Sequence, residues 1–336
     1  MNGRVFRLGI VSFAHMHAYS YARVVKELEA RGRVVLEAIF DDNEGRLKRA
    51  VELYKPRRAY SDFDKLLEEV EVDVAIVASE NAKHAKYAVP LLDRGVHVLV
   101  EKPIATRLED AWLMIKTAES RGVKLQVAFV MRYHDASHYV LSRVRELGRI
   151  YSITATNHGK CPFDWFVDPE LAGGGAIMDH VVHVADLIGW YTGDEFEEVV
   201  AFVGRNIYPE LKVEDNAILI GRLKGGATFS IDCSWSRPAN WPTWGDVYMH
   251  IVGERGVIVL NAFNQNISLA DETGFKWVYY GPDADRNMIE DFLRVVERDE
   301  TPRASGLDGL KALEVVIAAY KSIREKRPVK ISELYG

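Results

Sequence analysis

Residues 8–22, LGIVSFAHMHAYSYA, join an apolar run to a helical pattern through a short turn. The apolar run begins near Val5 and reads as a buried strand. Beyond the turn, Tyr21, Val24, Val25 and Leu28 recur at helical spacing, and Gly32 ends the pattern. Strand, tight turn and helix in that order open a dinucleotide-binding βαβ unit. Such a turn normally carries G-x-G-x-x-G, whereas Ser12, Ala14 and His17 stand at those positions here. In the usual turn one glycine permits the bend, one admits the pyrophosphate, and one lets helix and strand pack closely. Ser12 and Ala14 are small enough to approximate the first two roles, and His17 is the harder fit. The N–H groups at the helix start still attract an anion. His15 or His17, when protonated, adds positive charge there. The stretch therefore predicts a dinucleotide fold in which small residues and histidine replace glycine.

The rest of the first third keeps the alternation. VVLEAIFDD, VDVAIVAS, VHVLVEKP and VKLQVAFVM read as strands, with helical NEGRLKRAVELY, DFDKLLEEV, AKHAKYAVPLLDRG and RLEDAWLMIKTAESRG between them. Asn81 is placed to cap the third of these helices. Apolar strands alternating with helices predict an α/β fold, a doubly wound parallel sheet with right-handed crossovers. After about residue 130 the pattern changes to successive strands separated by KGG and GERG turns, which predicts a large, mostly antiparallel sheet. The expected division is 1–128, a Rossmann domain, and 129–336, a substrate and oligomerisation domain whose last helix packs back on the first.

Composition narrows the classes. The 336 residues are 48% hydrophobic and 27% charged, with a formal net charge of −6. That is ordinary for a globular chain and carries no basic stripe, so nucleic acid is not an expected partner. Cys161 and Cys233 do not make a disulfide framework. No apolar run in the sequence approaches the roughly 20 residues of a spanning helix. No membrane association is expected, and the reading is of a cytoplasmic protein.

In doubly wound sheets ligands lie beyond the carboxyl ends of the strands. That rule selects Ser12, Phe13, Ala14 and His15 in the first turn, Asp41 after the second strand, Ser79, Glu80 and Asn81, and Glu101 and Lys102. An acid at 41 suits the diol of an adenosine ribose and repels a 2′-phosphate, and no arginine directly follows it. NAD is expected over NADP, which stays possible, and Asp41→Ala is expected to weaken NAD more than NADP. Lys102 ends a buried strand, where an ammonium needs a partner or a role. In GGGAIMDHVVHVAD a helix starting near Ala176 puts Asp179 and His183 one turn apart on one face. A carboxylate beside an imidazole suits acid–base work near neutral pH. His158, Lys160, Trp165, His180 and Arg237, with Trp241 and Trp244, suit a polyhydroxylated ligand. His180 and His183, with His158 or Cys161, lack an established metal spacing, and His15-Met16-His17 is a weak half-site, so no metal is expected.

These pieces together resemble the Gfo/Idh/MocA oxidoreductases, which include sugar and inositol dehydrogenases. The resemblance rests on Gly9-Ile-Val, AIFD ending in Asp41, SENAKHAKYAVPLLDRGVHVLVEKP, MRYH, LGRI, GGGAIMDHVVHVADL and DGLKALEVVIAAYKSIREKRPVKI. It implies an N-terminal Rossmann domain and a C-terminal domain whose open sheet pairs subunits into a homodimer or homotetramer. It implies that Lys102 binds a reacting hydroxyl, that Asp179 places the substrate, and that His183 takes the hydroxyl proton. Glu101, Asn81 and His84 would lie near the cofactor, and Arg132 near the domain junction as a cofactor contact. The expected activity is hydride transfer between a sugar, cyclitol or polyol hydroxyl and NAD(P). Alternatives are an NAD-retaining, glycosidase-like enzyme and a non-catalytic cofactor or ligand sensor.

Overall fold

The computed structural model describes residues 4–336. They fall into two units, and the division is not a single cut. One unit runs to Val130 and resumes over Ala284–Leu310, and the other comprises Met131–Asp283 and Lys311–Gly336.

In the first unit the alternation is β1 (Phe6–Val11), α1 (His17–Ala30), β2 (Val34–Phe40), α2 (Glu44–Tyr54), β3 (Arg58–Tyr60), α3 (Phe63–Glu69), β4 (Val74–Val77), α4 (His84–Asp93), β5 (His97–Val100), α5 (Leu108–Arg121) and β6 (Leu125–Val127). The six strands are parallel in the order β3-β2-β1-β4-β5-β6. The chain therefore reverses its direction of growth between β1 and β4, and this is the topological switch point. β4 is buried along its whole length, as expected of a strand covered on both faces. β3 has three residues, too few for periodicity to reveal. α4 begins later than the sequence pattern suggests. Asn81 opens a 3₁₀ turn over Asn81–Lys83 and makes no N-cap for the helix.

In the second unit α6 (Asp135–Arg143) leads to β7 (Ile150–His158), α7 (Pro169–Ala172), α8 (Val182–Thr192), β8 (Phe196–Gly204), β9 (Asn216–Leu223), β10 (Thr228–Ser234), β11 (Tyr248–Gly253) and β12 (Gly256–Asn261). A hairpin of β13 (Asn266–Asp271) and β14 (Gly274–Tyr279) comes next. After α9 (Ala284–Arg298) and α10 (Gly306–Glu325), the two-residue β15 (Val329–Lys330) closes the edge. The main sheet runs β12-β11-β7-β10-β9-β8-β15, with β7 and β10 parallel and the other pairs antiparallel. β13 and β14 form a separate two-stranded sheet instead of extending it. Period-two alternation puts Ile153, Ala155, Phe229, Ile231, Met249 and Ile251 on a buried face. The other face leaves Phe202, Ile218, Ile220, Val257 and Val259 exposed.

α9 joins the first unit through Met288, Ile289, Phe292 and Leu293, which are buried, and it packs on α1. Among the described residues one stretch, Pro169–Thr192, has the length and apolar composition of a membrane span, and it is mostly buried as a core element. Glycines and charges interrupt its apolar residues, so no continuous run marks it in the sequence.

Candidate functional site

The turn after β1 keeps a glycine-like path without glycine. Ser12 has φ 73, the left-handed region that an L-residue rarely adopts. Its own side chain stabilises this, since Ser12 Oγ accepts from Ala14 N at 3.1 Å. Asp41, fully buried at the end of β2, completes the turn. Its Oδ2 accepts from Phe13 N at 2.7 Å and Oδ1 from Asn43 N at 2.8 Å. The Arg46 guanidinium spans both oxygens, with Nε at 3.0 and 3.1 Å. Asp41 is therefore an internal cap of the turn. Phe13 is likewise buried and packs on Tyr19 and Tyr54, which makes it a packing residue.

Arg46 is missed when only the residue next to the acid is considered. It lies five residues past Asp41 and four past Asp42, within one turn of α2, and that spacing is the signal the sequence carries. Around it Asp42 lies at 2.8 Å and Glu80 at 3.7 Å, and Lys83 reaches Asp42 at 2.7 Å and Glu80 at 3.2 Å. Burial opposes ionisation of Asp42, yet Lys83 and Arg46 hold its carboxyl below the usual range.

At the carboxyl ends of β4 and β5 the structure brings together residues distant in sequence. His15 N donates to Ala78 O at 3.0 Å. His17 Nδ1 lies 3.0 Å from Glu101 Oε1, His15 Nδ1 lies 3.8 Å from the same oxygen, and the Tyr21 hydroxyl donates to it. The other oxygen, Oε2, accepts from Lys102 N at 2.9 Å. Burial alone would raise the Glu101 pKa, but the two imidazoles and Lys102 drive it well below the ordinary carboxylate value. Burial alone would lower the His17 pKa, but Glu101 raises it. Lys102 is buried, and its peptide bond to Pro103 is cis.

Ser79, Glu80 and Asn81 are buried beside this end of the sheet. His84, expected to meet cofactor, is fully buried with Nδ1 at 2.8 Å from Pro103 O and Nε2 at 3.2 Å from Ser79 O. Burial holds it below the ordinary histidine pKa. It ties the turn after β4 to the turn after β5.

In the second unit the triple glycine is a point of close approach. A Cβ at Gly174 would sit 1.8 Å from Tyr320 Oη, and one at Gly175 1.9 Å from Glu214 O. Glu214 Oε1 accepts from Gly175 N and Ile177 N at 3.0 Å each and from the Tyr320 hydroxyl at 2.8 Å. Burial pushes the Glu214 pKa up. A π-helical turn, Ile177–Val181, then leads into α8, so the expected single α-helix from Ala176 is corrected. Wider turns of this kind recur where side chains must be re-aimed. Asp179 Oδ2 holds the Trp235 indole N–H at 3.0 Å and lies 3.1 Å from His180 Nε2. His180 Nδ1 lies 2.8 Å from Asn157 O, and its ring packs where a Cβ at Gly159 would meet it at 2.8 Å. The imidazole shown against Asp179 is thus His180, and His183 stands in the first turn of α8.

Three further candidates have partners inside the second unit. Arg132 is buried and pairs with Asp186 at 2.8 and 2.6 Å, a tie within the second unit. Trp165 is buried and stacks on Phe166 at 3.8 Å, as packing. His158 lies 3.1 Å from Asp246 and 3.3 Å from Asp232, and Arg237 also pairs with Asp246. Strand alternation points His158 away from the face that carries Ile153 and Ala155, so it does not join His180. Lys160 is half-buried, and its backbone N donates to Trp244 O at 3.1 Å.

A parallel sheet with its switch-point turn intact, and a buried lysine and glutamate at the neighbouring strand end, define a Rossmann-type oxidoreductase architecture. Residues 6–129 match the family model described as "Oxidoreductase family, NAD-binding Rossmann fold" and residues 140–259 the "GFO/IDH/MocA C-terminal domain". The chain belongs to the Gfo/Idh/MocA oxidoreductases, and its first unit is an NAD-binding Rossmann domain. It is similar to the myo-inositol 2-dehydrogenase of Thermotoga maritima, 29% identical over 90% of this chain and 92% of that protein. It is also similar to a Haloferax volcanii D-xylose 1-dehydrogenase (NADP(+)), 26% identical over 81% and 85%. A crystal structure of a probable dehydrogenase from Thermotoga maritima superposes with TM-score 0.83 at 26% identity, over 97% of this chain and 99% of that one.

Proposed function

We propose that the protein is an NAD-dependent dehydrogenase that oxidises a CH–OH group of a sugar, cyclitol or related polyol. The observation that carries this reading is the pairing of a preserved switch-point turn after β1 with a buried Lys102 at the end of β5, two strands along the sheet. The residues present fit a dinucleotide: Ser12 keeps the left-handed bend, and Ala14 adds only a methyl. The cluster after β2 has three carboxylates, Asp41, Asp42 and Glu80, to two cations, Arg46 and Lys83. Such a balance suits a ribose diol better than a 2′-phosphate, which is why NAD is proposed over NADP.

A bound nicotinamide would supply the hydride acceptor for the carbon being oxidised. On the protein side, Lys102 holds the reacting hydroxyl and lowers its proton affinity. His183 takes the hydroxyl proton. Asp179, held by Trp235 and lying beside His180, orients the substrate. Family resemblance supports the roles of Lys102, Asp179 and His183. The exposed apolar face of the second sheet, with Phe202, Ile218 and Ile220, is the proposed contact between copies in a homodimer or homotetramer. Sedimentation would show that assembly, and Ile220→Lys would dissociate it.

Calorimetric titration with NAD and NADP, followed by a polyol panel read as NADH formation, tests the function. His183→Ala and Lys102→Ala should each lower kcat by about 100-fold or more with the fold intact. Absence of binding of either cofactor by the folded protein would refute the reading. Turnover without net NADH release would favour the NAD-retaining alternative, and cofactor binding without any turnover would favour a sensor.

A further inference from the structure

The turn after β1 raises a problem of charge. In a glycine-rich turn the backbone N–H groups face the anion, but here they have internal acceptors. Phe13 N donates to Asp41, Ala14 N to Ser12 Oγ, His15 N to Ala78 O, and His17 N to His15 Nδ1. Two imidazoles of the turn, that of His15 buried and that of His17 partly exposed, converge on the carboxylate of Glu101.

We propose that His15, His17 and Glu101 form a binding site for a divalent transition-metal ion of the zinc class. One ligand atom from each lies within 4.8 Å of the others, and among the described residues they are the group of histidine, cysteine and carboxylate side chains so arranged. The spacing is right for one ion. Tetrahedral zinc with bonds near 2.05 Å separates its ligand atoms by about 3.3 Å. The two nitrogen–oxygen distances here, 3.0 Å from His17 and 3.8 Å from His15, bracket that value. Two histidines and one glutamate are also a known zinc donor set, one that leaves a coordination position open.

The surroundings match what a metal ligand needs. Ligand carboxylates are normally held by further hydrogen bonds. Glu101 has the Tyr21 hydroxyl on one oxygen and the Lys102 amide on the other. His15 Nδ1 is unprotonated, because it accepts from His17 N at 3.2 Å, and an ion bound at this nitrogen would replace that hydrogen bond. The His15 and Glu101 side chains are buried, while that of His17 is 39% exposed and gives an ion a way in. With two neutral imidazoles and one carboxylate, a divalent ion leaves the cluster with one net positive charge. That charge stands in the turn whose own amides are turned inward. The site lies within the first unit and does not depend on the proposed dehydrogenase activity.

The test is direct titration of the metal-stripped, full-length protein with Co²⁺, read as visible d–d absorption, and with Zn²⁺ by calorimetry. One equivalent per chain should bind with micromolar or tighter affinity, and Zn²⁺ should bleach the Co²⁺ spectrum. His17→Ala, at the most exposed ligand, should weaken binding by about 100-fold or more. Glu101→Gln should do the same, and His250→Ala should have no effect. Circular dichroism and a thermal melt establish that His17→Ala is folded. Failure to bind either ion stoichiometrically below about 0.1 mM overturns the site, as does unchanged affinity in a folded His17→Ala.

Discussion

Replacing Asp41 separates two accounts of the same carboxylate. If it were an open ribose ligand, Asp41→Ala would cost NAD affinity, spare NADP and leave stability alone. The structure predicts otherwise, because the side chain is fully buried and accepts from Phe13 N at 2.7 Å, Asn43 N at 2.8 Å and Arg46 Nε at 3.0 Å. A hydrogen bond to a charged group is worth about 1.5–3 kcal/mol, and an orphaned buried donor costs about 1–3 kcal/mol. Arg46 still has Asp42 and Glu80, so the full penalty of a broken buried ion pair does not apply. The expected loss is about 3–4 kcal/mol, more than 100-fold in the folding equilibrium. The Phe13 amide belongs to the cofactor turn, so both NAD and NADP affinities should fall, NADP somewhat less because one of the three carboxylates is gone. Asp41→Asn, which keeps one acceptor oxygen, should recover part of both losses. Urea denaturation and paired titrations with the two cofactors measure these effects. Wild-type stability in Asp41→Ala, together with selective loss of NAD, would refute the capping argument and restore the ribose role.

Single contacts elsewhere make further expectations. Arg132→Met should destabilise the protein by about 3–5 kcal/mol, since it strands Asp186, which is 1% exposed. Arg132→Met with Asp186→Leu should cost much less, and a denaturant double-mutant cycle with additive losses would contradict a buried pair. Gly175→Ala drives a Cβ to 1.9 Å from the Glu214 carbonyl oxygen and should cost at least about 2 kcal/mol with large loss of activity; a neutral melt would show that the loop before β9 and the glycine run part freely. Burial lowers the His158 pKa, but Asp246 and Asp232 raise it above its ordinary value, with Arg237 also on Asp246. A raised histidine pKa stabilises the fold below about pH 6.5, and that stability is lost as pH rises through the native value. The thermal advantage of wild type over His158→Asn should therefore shrink from pH 6 to pH 9, and an advantage that grows would reverse the sign argued here. Trp235→Phe removes the N–H donor to Asp179 and should lower kcat by about 10-fold on the proposed polyol substrates, with cofactor affinity unchanged as the control.

The sequence by itself determined the succession of strands and helices in the first unit. Val74–Val77 and the neighbouring amphipathic helices announce themselves because burial imposes local periods of apolar residues. It likewise marked Lys102, since an ammonium at the end of an apolar run is conspicuous on its own. Only the tertiary structure decided which side chains meet. His17 and Glu101 are 84 residues apart, Gly175 and Glu214 39, and Asp179 and Trp235 56. Periodicity decays over one element and carries no record of such pairings, which arise where strand ends and loops are brought together. Asp41 shows the difference most clearly. Its place at the end of β2 was legible, but whether its carboxylate faced a ligand or the turn depended on Phe13 and Arg46, and the fold turned it inward.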